Sequence, residues 1–147
     1  MLRINRRTDY AIRVMLSLAK RSEGERLSTR QIQEEMLVPH AFLQRIIADL
    51  SRRKLIHTYP GPSGGLQLAR QASSVSLRDI YEAIEGTLLI SDCLEADGEC
   101  PLDKSCPVRP RWDHLQDLIV KELESITLDQ LAKEAHQKES DLVVQPA

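Results

Sequence analysis

The sequence predicts a mainly α protein, a winged helix-turn-helix with a short β-hairpin as its wing and a long helix towards the C-terminus. Three observations carry this prediction. Apolar residues recur at helical spacing along most of the 147 residues. Aromatics make up only 3% of the chain, so the core must be built from Leu, Ile, Val, Ala and Met, which suits helices packed on helices. A turn cluster, Pro60-Gly61-Pro62-Ser63-Gly64-Gly65, lies between two β-prone runs.

The elements follow in order. From about Thr8 to Arg21, Ala11, Val14, Met15 and Leu18 form one face, which Ile12 and Leu16 widen, and Gly24 follows. A second helix opens at Leu27-Ser28, where Ser28 and Gln31 make a capping-box pattern and Ile32 and Met36 supply the buried side. The break is Leu37-Val38-Pro39, and a third helix runs from about Pro39, read as its first helical position, to Arg53, with Leu43, Ile46, Ile47 and Leu50 inward. Two helices joined by so short a turn fit helix-turn-helix, and equally an ordinary helical hairpin. Leu55–Tyr59 and Leu66–Ala69 then read as the two strands of a wing, or of a hairpin with no partner. Ser76-Leu77-Arg78-Asp79 opens a helix to about Gly86. A polar stretch from about Ser91 to Pro110 has no periodicity and carries all three cysteines. A long helix from about Arg111 puts Trp112, Leu115, Leu118, Ile119, Leu123 and Ile126 on one stripe, and Thr127-Leu128-Asp129-Gln130 caps a last helix. That stripe can pack on its own domain or against a second copy; pairing two copies would present two recognition helices to two half-sites. The expected division is a winged-helix DNA-binding domain over 1–88, a cysteine loop over 89–110, dimerisation helices over 111–137 and a frayed tail over 138–147.

The net charge of −2 conceals a strong asymmetry. Residues 1–80 hold 14 Lys/Arg against 7 Asp/Glu, a balance of +7, whereas residues 81–147 hold 6 against 15, a balance of −9. A basic first half fits a polyanion such as double-stranded DNA. The acidic half suits sensing or association. No stretch approaches the roughly 18 apolar residues of a membrane span, and the basic start runs into no uninterrupted apolar segment. The expectation is a cytoplasmic protein without membrane contact. It is also not an enzyme: no nucleophile–base pairing, strand-to-helix phosphate loop or carboxylate pair stands out.

Candidate DNA contacts follow from side-chain chemistry. On the outer side of the third helix His40, Ala41, Gln44 and Arg45 face the bases; Gln can read adenine and Arg guanine. Ser28, Thr29 and Arg30, at a helix N-terminus, suit phosphates. In the wing Gly61, Ser63, Gly64 and Gly65 allow close backbone approach. Arg52, Arg53 and Lys54 are phosphate contacts or a solvated helix end.

The cysteines are spaced Cys93-x6-Cys100-x5-Cys106. Zinc knuckles favour C-x2-C, whereas gaps of five and six suit a larger iron–sulfur object; zinc binding and metal-free thiol sensing stay as alternatives.

The chain up to about Ala135 resembles the IscR/NsrR-type winged-helix regulators. The resemblance rests on Leu2-Arg3-Ile4 and Thr8–Arg13, the Gly61–Gly65 wing, Ala72–Leu77, the three cysteines, Trp112 and Ile126-Thr127-Leu128. It implies a homodimeric repressor or activator whose operator affinity depends on an iron–sulfur cluster answering nitric oxide, redox state or iron and cluster status. IscR-like members have a histidine three residues after the last cysteine; here that position is Arg109, which cannot ligate. NsrR-like members use an aspartate from the first helix of the other subunit, and Asp9 matches it. Three cysteines and one aspartate favour 4Fe–4S, with 2Fe–2S possible. Asp9 also suits the first turn of its helix and has Arg6, Arg7 and Arg13 within pairing reach. Many members carry an arginine just before the first wing glycine, where this chain has Pro60.

Overall fold

A computed structural model describes residues 3–95 and 100–144. Leu2 of the N-terminal match, residues 96–99 of the cysteine loop and residues 145–147 of the tail lie outside the described residues. Among the described residues the α-helices are α1 (Arg6–Ala19), α2 (Thr29–Met36), α3 (His40–Arg52), α4 (Leu77–Glu85), α5 (Arg109–Ser125) and α6 (Leu128–Val144). One antiparallel hairpin, β1 (Ile56–Tyr59) and β2 (Gly65–Leu68), sits between α3 and α4. The architecture is a winged helix-turn-helix.

Local chemistry sets the helix ends. The Asn5 side chain accepts the Thr8 amide at 3.0 Å, so α1 starts at Arg6, slightly before the start expected from apolar spacing. Ser28 and Gln31 form a reciprocal capping box on α2, and Ser76 and Asp79 form another on α4. Leu37 closes α2 in the left-handed region at φ 53°, and Pro39 then occupies the position preceding α3.

The core lies where α1 crosses α3 and α4, with Val14, Met15, Leu43, Ile46 and Ile80 fully buried. Leu55, Ile56 and Leu66 seat the hairpin on it. In register, Ile56 faces Leu68 and Tyr59 faces Gly65. Leu27 extends the sheet by one bridge: its N–H donates to Leu66 O at 3.0 Å, and the Leu66 N–H donates back at 2.7 Å. The wing is therefore bonded to the segment that leads into α2.

The last two helices behave differently. No residue of α5 is buried. By contrast α6 returns to α1, burying Leu128 and Ala132, with Lys20 paired to Glu139 at 2.5 Å. A second backbone clasp joins its start to α4: Leu77 N–H donates to Ile126 O at 2.9 Å, and Leu128 N–H to Val75 O at 2.8 Å. The helix continues to Val144. No helix breaker intervenes before Pro146, and Gln137 donates to Asp141 one turn on at 2.9 Å.

Candidate nucleic-acid interface and cysteine loop

The inward residues of α3 are Leu43, Ile46, Asp49 and Leu50. This phase leaves His40, Ala41, Gln44 and Arg45 exposed together on the opposite side, as a recognition surface requires. Pro39 offers no side-chain cap to α3, so the first-turn amides there have no side-chain acceptor.

The start of α2 is less free. The Ser28 hydroxyl oxygen accepts the Gln31 amide at 3.2 Å, which leaves only its O–H to donate outward. Arg30 is fully exposed and bonded to Glu34 at 2.9 Å; that bond and the Glu34 charge hold its pKa above the ordinary guanidinium value. An exposed pair of this kind is weak, so a phosphate can displace the carboxylate. Thr29 is half-buried. Arg52 pairs with Asp49 at 3.0 Å, while Arg53 and Lys54 are exposed.

Gly61 and Ser63 lie exposed at the wing tip. Gly64 and Gly65 answer to internal packing. A Cβ on Gly64 would stand 2.0 Å from Tyr59 O, and one on Gly65, at φ +138°, 2.6 Å from Leu27 O. Both glycines are therefore required by the fold, whatever else approaches them.

Two features of this face were not anticipated from sequence. The Arg26 guanidinium lies 3.5 Å from the centroid of the Tyr59 ring. Arg7 reaches from α1 to Asp49 on α3 at 2.6 Å and to Ile84 O on α4 at 3.0 Å. The sequence signal for the first was a hairpin without Lys or Arg that carries Tyr59; the Arg7 link had none.

The cysteine segment leaves α4 at Gly86 and enters α5 at Arg109, with 3₁₀ turns at Asp92–Leu94 and Asp103–Ser105. Cys93, Cys100 and Cys106 are free thiols, each half-buried. Cys93 Sγ is 3.2 Å from Ser91 Oγ. Gln116 of α5 accepts the Ile90 amide at 3.1 Å and fixes the start of the segment against that helix. Arg109 pairs with Asp103; that hydrogen bond, then the Asp103 charge, with smaller contributions from Cys93 and Asp113, raise its pKa. Arg109 thus secures the loop where it cannot ligate.

Asp9 is about half exposed and pairs with Arg13 at 2.8 Å, one turn along α1. Among the described residues no three His, Cys, Asp or Glu side chains converge as a metal site. The donor chemistry still fits an iron–sulfur cluster: three unpaired thiols share one loop, and a carboxylate held by one exposed pair is available on another element.

On α5, Trp112, Leu115 and Leu118 are 42%, 38% and 51% exposed, which leaves them without cover in one copy. Ile119, Leu123 and Ile126 are half-buried, and α5 contacts α4. No helix among the described residues is long and apolar enough to cross a membrane.

The chain is 31% identical to protein aau3 of Rhizobium meliloti over 134 residues, which covers 90% of this chain and 86% of the relative. It is 26% identical over 130 residues to the HTH-type transcriptional regulator IscR of Escherichia coli, covering 88% and 80%. It is 24% identical over 133 residues to the HTH-type transcriptional regulator NsrR of Oceanobacillus iheyensis, covering 90% of each. CymR, described as the global cysteine regulator of B. subtilis, superposes with a TM-score of 0.75 at 25% identity, covering 91% of this chain and 98% of that one. T. potens IscR shares the fold with a TM-score of 0.71 at 23% identity, covering 99% and 93%. The model of the Rrf2 family, described as an iron-dependent transcriptional regulator, matches residues 4–134. The chain is therefore a DNA-binding transcriptional regulator and not an enzyme, and it belongs to the Rrf2 family.

Proposed function

We propose that this chain is a homodimeric, cytoplasmic regulator whose operator affinity is set by an iron–sulfur cluster on Cys93, Cys100 and Cys106, with Asp9 contributed across the dimer. The observation that supports it most is the set of three free, half-buried thiols on one segment, anchored to α5 at Gln116 and at Arg109. When bound, a 4Fe–4S cluster held by the three thiolates and the Asp9 carboxylate would supply the signal-responsive chemistry, towards nitric oxide, oxygen or iron loss. A 2Fe–2S form on the same loop is the other possibility. His40, Ala41, Gln44 and Arg45 read bases in this proposal, while Ser28, Thr29, Arg30, Gly61, Ser63, Gly64 and Gly65 approach the backbone.

The protein's own residues connect loop to reading head. Gln116 and Arg109 hold the loop on α5, α5 packs on α4, and Arg7 bonds the end of α4 to α3. Asp9 sits two residues from Arg7 on α1, so a ligand bond at Asp9 would bias the same helix. Pairing of two copies through Trp112, Leu115 and Leu118, with Ile119, Leu123 and Ile126 behind them, would cover the exposed α5 stripe.

The test is anaerobic purification of wild type and Asp9→Ala with iron, sulfide and zinc quantification and Mössbauer spectra. About four irons and four sulfides per chain are expected, with a less stable cluster in Asp9→Ala. Zinc alone, or no metal after reconstitution, overturns the cluster. The second reading is then a zinc-stabilised regulator if zinc is found, or cluster-free thiol regulation if no metal is found, the latter supported by the likeness to CymR, the global cysteine regulator of B. subtilis.

A further inference from the structure

The hairpin from Ile56 to Leu68 carries no Lys or Arg, so its own side chains bring no permanent positive charge to the polyanion it faces. Arg26 makes good that lack from outside the hairpin. It directly precedes Leu27, whose two hydrogen bonds to Leu66 make that segment a third rail of the wing. Its exposed guanidinium is laid on the half-buried Tyr59 ring, 3.5 Å from the centroid. Among the described residues no carboxylate forms an ion pair with it.

Stacking occupies the flat face of a guanidinium and leaves its in-plane N–H fork outward, the geometry that grips phosphate oxygens. The ring also restrains a side chain that would otherwise lose considerable rotamer entropy on binding. Three residues further on, the first amides of α2 provide donors with no partner within the helix, so charge and dipole act along the same stretch.

We infer that Arg26, preorganised by Tyr59, is the wing's phosphate contact and clamps the duplex backbone beside the hairpin. This rests on the DNA-binding assignment. Arg26 contributes affinity without sequence preference, and Tyr59 is its positioning residue.

The test uses the full chain, purified anaerobically, and a duplex enriched by the wild type from random-sequence DNA. Affinity is measured across a salt series for wild type, Arg26→Ala, Arg26→Lys and Tyr59→Leu, with thermal melting to confirm folding. Arg26→Ala should bind several-fold more weakly and flatten the slope of log K against log salt by about 0.9 per copy. Arg26→Lys should restore the slope, because the charge returns. Tyr59→Leu should weaken binding with the slope kept. Wild-type affinity and slope in Arg26→Ala would overturn the inference. So would weakened binding with an unchanged slope, the mark of a purely structural stack. A wild-type chain that enriches no duplex would instead overturn the DNA-binding assignment itself.

Discussion

The Arg7 guanidinium lies 2.6 Å from the Asp49 carboxylate and 3.0 Å from the Ile84 carbonyl, so one side chain on α1 joins the recognition helix to the last turn of α4. Asp49 is nearly buried, and Arg52 is its other cationic partner. Removing Arg7 leaves that carboxylate short of its better-shielded partner. Arg7→Ala should cost about 2 kcal/mol, read as a lower urea midpoint with an unchanged m-value. A midpoint within error of wild type would show that Arg52 alone satisfies Asp49.

The two wing glycines face backbone and not flexible side chains. Gly64→Ala places a methyl 2.0 Å from Tyr59 O and 2.7 Å from Pro60 O, so the turn must open. We expect a loss of about 1–3 kcal/mol and faster amide exchange at Leu66, whose bond to Leu27 depends on the same register. Unchanged protection at Leu66 would contradict this account of the turn.

The exposed side of α5 predicts a split between association and folding. Leu118 is 51% exposed and its helix has no buried residue, so Leu118→Asp should leave the fold of each copy intact. Sedimentation equilibrium should nevertheless report a shift towards the mass of a single chain. An unchanged mass would remove this stripe from the dimer interface.

Acid sensitivity should be traceable to the start of α6. Asp129 accepts the Thr127 hydroxyl at 2.5 Å and Lys133 at 3.3 Å; the Thr127 bond, more than the lysine, draws its pKa below the ordinary carboxylate value. A folded-state pKa lower than the unfolded one means stability that is present above about pH 4 and lost as pH falls through the depressed value. Asp129→Asn should remove this contribution, so its stability should fall less steeply than wild type as the pH drops below about 4. Parallel acid limbs for the two proteins would refute it.

Much of the fold was legible because local signals agreed. The capping boxes at Ser28 and Ser76, the turn cluster at Pro60–Gly65 and the apolar stripes of α1, α3 and α4 each act within a few residues. The end of α6 was not, since its apolar residues Leu142, Val143 and Val144 are exposed and form no buried stripe to detect. Of the candidate site, the outward face of α3 followed from helical phase alone. The Arg26–Tyr59 stack and the Arg7 link depend on residues brought together by tertiary packing, which spacing does not encode. The cysteines were visible by number and interval, but interval says nothing of whether three thiols meet.

The clasp between residues 75–77 and 126–128 brings the chain back to the place it left. The span from Leu77 to Ile126 is thereby an excursion whose two ends are pinned side by side; within it α4 packs into the core, whereas no residue of α5 is buried. Lengthening or shortening such an excursion changes its closure entropy only logarithmically. Under the proposed function, the cysteine segment and α5 would form an exchangeable cassette: selection could rebuild what is detected, and which copies associate, while the same reading head remains folded beneath it.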